Sequence, residues 1–108
     1  MSDTAPLYRV DKFVVPAHGR EEFLARVRAT HAVLREQKGF IRDAILEQAS
    51  GPGEFNFVTI AEWESADVID AAGKAVAALH AATGFDRREM LERLGIKADI
   101  ANYRPLPI

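Results

Sequence analysis

The sequence predicts an α+β fold in which helices cover one face of a four-stranded antiparallel sheet. Three observations carry that expectation. Residues 54–65 (Glu-Phe-Asn-Phe-Val-Thr-Ile-Ala-Glu-Trp-Glu-Ser) are the longest run rich in aromatic and β-branched residues. Two segments, one after Gly19 and one after Ser65, carry apolar residues at helical spacing. Strand-like and helix-like segments then succeed one another in the order β-α-β-β-α-(α)-β. Within the run 54–65, alternation places Phe55, Phe57, Thr59, Ala61 and Trp63 on one face and Asn56, Val58, Ile60, Glu62 and Glu64 on the other. Apolar groups on both faces at mid-strand need a cover on each side, which makes this strand central in the sheet.

Residues 7–15 read as the first strand. Its alternation slips, because Tyr8 and Val10 share one face while Phe13 and Val15 share the other. A bulge, or burial on both faces, accounts for that. Pro16-Ala17-His18-Gly19 is a turn, with Pro ending the ladder and Gly permitting an unusual backbone angle. Residues 20–37 form a helix with Phe23, Val27, Thr30 and Leu34 on one stripe and Leu24 and His31 at its edge. Residues 40–48 are a second strand, with Phe40, Ala44 and Leu46 alternating against Ile41 and Ile45. A Gly/Pro turn at 49–53 joins it to the central run as a hairpin. Ser65 caps a second helix over 66–82, with Gly73 marking a close approach or a break. Asp86 and Glu89 form a capping box for a short helix ending at Gly95, and Phe85 and Met90 are spaced for a hydrophobic staple. Residues 97–104 are the fourth strand, with Ile100 and Tyr103 on opposite faces. The order is the split βαβ, or ferredoxin-like, arrangement in one domain spanning 1–108, with tails at 1–6 and 105–108.

The composition, 48% hydrophobic and 28% charged, is that of a globular chain. A formal charge of −2 without a basic run argues against nucleic acid as the main partner. No apolar stretch is long enough to span a bilayer, so no membrane association is expected. The absence of cysteine excludes disulfides and thiolate chemistry and fits a cytoplasmic location. The uncovered sheet face presents either the set containing Phe55, Phe57 and Trp63 or the set containing Val58 and Ile60. Neither meets water comfortably, so a homodimer with two sheets packed face to face under two-fold symmetry is expected.

The topology, the hairpin ending in Ala61-Glu62-Trp63-Glu64-Ser65, and the spacing His31, Leu34, Glu36, Gly39, Phe40 together resemble the antibiotic biosynthesis monooxygenase (ABM) family. The resemblance covers residues 8–103. It implies a dimeric α+β barrel with a pocket between helices and sheet in each protomer. Some members are cofactor-independent monooxygenases of aromatic polyketides or quinols, and others degrade haem. The haem-degrading branch uses an Asn on the first strand, a Trp within the second helix and a His later in that helix. Here the first strand offers Asp11 and Lys12, Trp63 precedes the second helix, and only His80 matches. That departure argues against haem degradation. The segment 84–95 exceeds the simplest members and reads as a lid or a cap over one end.

The candidate residues each carry two readings. His31 is the first choice for a base that takes a proton from a phenol or anthrone, since imidazole titrates near neutrality; alternatively it is a boundary histidine bonded locally. His80 is the second choice, or a cation favoured at a helix C-terminus. Trp63, Phe57, Tyr103 and Phe55 are candidate pocket walls for a small aromatic molecule, or core and interface anchors. Glu62 and Glu64 are possible neighbouring carboxylates. His31, His80 and Glu64 lack a recognisable metal-ligand spacing, so no metal is expected. No phosphate loop, dinucleotide fingerprint or nucleophile elbow is present, and no cofactor is expected. The leading function is a cofactor-independent oxygenase of a hydroxylated aromatic or quinol. The alternatives are a non-catalytic dimeric module that binds a hydrophobic metabolite or a partner protein, and a purely structural sheet face.

Overall fold

The computed structural model describes residues 5–108. The elements are β1 (Leu7–Val14), a 3-10 turn (Ala17–Gly19), α1 (Arg20–Leu34), β2 (Phe40–Glu47), β3 (Phe57–Trp63), α2 (Ala66–Thr83), α3 (Arg87–Leu94) and β4 (Lys97–Tyr103). The sheet order is β2-β3-β1-β4, and every adjacent pair is antiparallel. This is the ferredoxin-like α+β arrangement, with β3 internal as its two-sided apolarity requires. Of the expected N-terminal tail, residues 1–4 lie outside the described residues. Residues 105–108 carry no regular structure and are exposed.

The registers align side chains into rows across the sheet. On the helix-covered face the rows are Glu47-Phe57-Phe13-Ala98, Ile45-Thr59-Asp11-Ile100 and Asp43-Ala61-Arg9-Asn102. On the opposite face they are Leu46-Val58-Lys12-Asp99, Ala44-Ile60-Val10-Ala101 and Arg42-Glu62-Tyr8-Tyr103. The set left open is therefore that of Val58 and Ile60. Phe13 and Phe57 pack with Phe23 and Leu24 of α1 and with Met90 and Leu94 of α3. The Phe23 ring meets Phe13 edge-on at 4.8 Å and Phe57 at 5.3 Å, contacts worth about 1 kcal/mol each beyond their buried area. A second cluster joins Ala61 and Trp63 to Ala72 of α2.

Several local expectations change for identifiable reasons. The β1 register runs without a break from Leu7 to Phe13, so there is no bulge. Its alternation slips because Arg9 and Asp11, although polar, occupy helix-covered positions. The bulge lies instead in β2, between Phe40 and Arg42. It turns Phe40 toward Trp63 and away from the face of Ala44 and Leu46. Gly19 has an ordinary φ of −99°; what it needs is space, since a Cβ there would lie 3.3 Å from Leu94. Ser65 occupies the N-cap position of α2 but makes no side-chain capping bond. Asp86 does cap α3, accepting from the Glu89 amide at 3.2 Å, while the Glu89 side chain pairs with Arg93 instead of closing the box. Gly73 does not break α2, which runs on to Thr83. Phe55 lies in the connection 48–56, outside β3. That connection is pinned by Asn56, whose side chain both donates to and accepts from the Val15 backbone at 2.8 Å.

Candidate functional site

A two-lobed cavity separates the covered sheet face from the helices. The larger lobe, about 280 Å³, is walled by Leu34, Ala61, Trp63, Ile69, Ala72 and Val76. The smaller, about 70 Å³, is walled by Phe13, Phe23, Val27, Phe85, Met90 and Leu91. Asp11, Thr30, His80 and Arg87 line both lobes. Space survives here because α2 faces the sheet with Ala72 and Gly73 over Ala61, where larger side chains would fill it. A Cβ on Gly73 would meet nothing within 4 Å.

His31 projects from α1 into the wall of the smaller lobe and is buried. Its Nδ1 lies 2.9 Å from Oδ2 of Asp43. Arg35 stands one turn beyond His31 on the same side, and its Nε and Nη2 each donate to Asp43 at 3.0 Å. Burial pushes the Asp43 carboxyl up, but the hydrogen bonds from Arg35 and His31 outweigh it and hold the group below its ordinary value. An ionised carboxylate only accepts. Nδ1 therefore donates to Asp43, and Nε2 is the ring nitrogen left outside this bond.

Residues 84–95 close the same smaller lobe, through Phe85, Met90 and Leu91. Met90 and Leu94 are buried in the core, so this segment is an integral cap. The Phe85 ring receives the His80 ring edge-on at 4.9 Å and the Arg26 guanidinium at 4.2 Å, which ties α2 and α1 to the entrance of α3. Arg9 and Asp11 form an ion pair at 2.7 Å between neighbouring covered positions of β1. Arg87 reaches into both lobes, and burial depresses the pKa of its guanidinium.

Of the residues singled out from sequence, His31, His80 and Trp63 come together on this cavity. Trp63 is 2% exposed and meets Phe40 edge-on at 5.6 Å. Phe57 is buried beneath the cavity against Phe23. Phe55 lines neither lobe. Tyr103 stands on the opposite sheet face, with Lys12 Nζ 5.6 Å from its ring centre. Glu62 and Glu64 are not a working pair: Glu62 binds Arg42 at 2.7 Å on the open face, and Glu64 is exposed beyond the strand end. Among the described residues, no three His, Asp or Glu side chains are grouped to hold a metal. Asp43, Arg35, Arg9, Asp11 and Arg87 were not singled out as site residues. For Arg9 and Asp11 a signal existed, namely two charged residues at covered positions of a central strand.

The ABM family model, antibiotic biosynthesis monooxygenase, matches residues 6–91. This chain belongs to the ABM family. Solved structures agree on the fold. SnoaB from Streptomyces nogalater, a cofactor-independent oxygenase, is 22% identical, with 96% of each chain covered and a TM-score of 0.71. Rv0793 from Mycobacterium tuberculosis is 18% identical over 96% of this chain and 98% of its own, at 0.70. PA3566 from Pseudomonas aeruginosa is 16% identical over 99% and 100%, at 0.71. No curated protein matches the chain in sequence. The ABM match ends inside α3, so the last turn of the cap and all of β4 lie beyond it. Among the described residues, no helix is long and apolar enough to cross a membrane.

Proposed function

We propose that this ABM-family protein is an oxygenase that inserts one atom of dioxygen into a small hydroxylated aromatic or quinol-type substrate, using the electrons of the substrate itself. The observation that carries this reading is the buried His31–Asp43 pair in the wall of a largely apolar cavity. Nε2 of His31 takes a proton from an acidic C–H or O–H of the substrate. The resulting anion gives its electrons to O₂, and the peroxide that forms takes the proton back from His31. For a methylene flanked by aromatic rings, loss of the second hydrogen with O–O cleavage leaves a carbonyl and releases water. One CH₂ and one O₂ become one C=O and one H₂O. Asp43 supports this chemistry by fixing the tautomer and by stabilising the imidazolium between the two proton transfers. The apolar walls limit water near the reactive anion. Engineered cavities of about 150 Å³ admit benzene, so the larger lobe has room for a small aromatic ring system.

The reading includes a cytoplasmic homodimer formed through the open sheet faces. Val10, Ala44, Val58 and Ile60 make that face too apolar to stay wet, and two-fold symmetry pairs it with itself.

The test is oxygen uptake by metal-free protein on a panel of anthrones, quinols and catechols, against His31→Ala and boiled protein. Saturable uptake is expected, falling by about two to four orders of magnitude in the variant. Uptake unchanged in His31→Ala removes His31 as the base. Uptake at the boiled level across the panel favours a binding module that uses the same cavity without turnover.

A further inference from the structure

We infer that Arg87 is the recognition group for a carboxylate carried on the ring of the ligand, so that the cavity selects aromatic acids over their neutral analogues. This deepens the proposed function and rests on the same cavity being the ligand site.

Nearby guanidinium groups already have partners. Arg9 pairs with Asp11, Arg35 with Asp43, Arg93 with Glu22 and Glu89, and Arg26 lies over Phe85. Arg87 differs. It opens α3 directly after the capping Asp86 and reaches back into both lobes. Among the described residues it donates no hydrogen bond and closes no ion pair; the charges it feels are Asp11, which attracts it, and Arg9, which repels it. Asp11 is already engaged by Arg9, so the three groups leave one uncompensated positive charge facing the cavity. Half-burying a cation without a counter-charge is unfavourable, and a ligand anion removes that penalty on binding. A guanidinium fork matches the two oxygens of a carboxylate, which a single ammonium cannot do. Beside His31, Arg35 is already engaged by Asp43 and does not compete for a ligand anion.

The experiment is calorimetric titration of the full chain with gentisate and with gentisamide, a quinol acid and its neutral amide. Wild type is expected to bind the acid about tenfold or more tighter than the amide, as charge-assisted bonds in a part-buried site imply. Arg87→Gln abolishes the preference, and Arg87→Lys restores part of it. Thermal melting of Arg87→Gln is expected at or above that of wild type, which separates lost recognition from lost fold. Equal affinity for acid and amide in wild type overturns the inference. So does a preference that survives in Arg87→Gln, or no binding of the acid at millimolar concentration. Because the readout is binding, acid preference without oxygen uptake removes the oxygenase reading and leaves the carboxylate site standing.

Discussion

The two faces of the sheet invert the usual distribution of polarity. Under the helices, the rows through β3 and β1 hold Thr59 beside Asp11 and Ala61 beside Arg9, with Asp43 next along. On the face with no helices, the middle row is Ala44, Ile60, Val10 and Ala101. Hydrophobic burial alone would reverse these assignments. Charged groups kept beneath helices need a use for the space around them. Apolar groups kept in the open need something to cover them. The first face is thus read as the ligand site and the second as the interface, and each can be tested against the other.

The largest expected difference comes from trimming one aromatic on the covered side and placing one charge on the open side. Phe57→Ala removes a ring packed against Phe23 and should cost about 3–5 kcal/mol in denaturant unfolding, at any protein concentration. Ile60→Asp should instead convert a dimer to a monomer in sedimentation and abolish the concentration dependence of Tm. A wild-type chain that sediments as a monomer at micromolar concentration, with a concentration-independent Tm, breaks the comparison on the open side.

A smaller effect is expected at Asp43. Asp43→Asn weakens the bonds from His31 and Arg35, and because Arg35 is mostly exposed to solvent the loss should be about 1–2 kcal/mol at neutral pH. The sign with pH follows from the depressed carboxyl. Its contribution is fully present above the unfolded value of 3.8 and is lost as pH falls through the lower folded value. Wild type and Asp43→Asn should therefore converge in stability in acid. A gap that persists unchanged at about pH 2 would show that the carboxylate charge is not what matters.

The smallest effect has the opposite sign. Gly73→Ala should stabilise α2 by about 0.5–1 kcal/mol, because the new methyl enters open space. It should also weaken ligand binding slightly by narrowing the larger lobe. Destabilisation would mean that the space beside Gly73 is not open.

The fold was legible in the sequence because helical spacing, strand alternation and turn residues pointed to the same element order, even where a cap or a bulge was misplaced. The stripe of α1, the Asp86 cap and the helix end at Gly95 read directly from residue spacing. The site was legible only in part. His31, His80 and Trp63 stand out as residue types, whereas Asp43 and Arg87 matter through contacts between segments far apart in the chain. Arg9 and Asp11 disturbed the β1 pattern visibly, but a bulge explained the same disturbance equally well until the register was known. Tyr103 and Phe55 attracted notice as aromatics, and residue type alone does not tell which side of a sheet, or which side of a strand boundary, a ring occupies.

The bulge at Ile41 makes the geometry of the site a matter of counting. Phe40 and Arg42 have the same parity in sequence and opposite neighbours in space, Trp63 for one and Glu62 for the other. Across the surplus residue, Phe40 reaches the tryptophan while Asp43 points at His31. Deleting Ile41 would leave Phe40, Arg42 and Asp43 in plain alternation opposite Trp63, Glu62 and Ala61, so both placements would be kept and only the bulge would be lost. Substitutions at this spot change a side chain of little consequence. The surplus residue sits at the bulge alone, so a chain one residue shorter here could place the same side chains on an unbroken ladder.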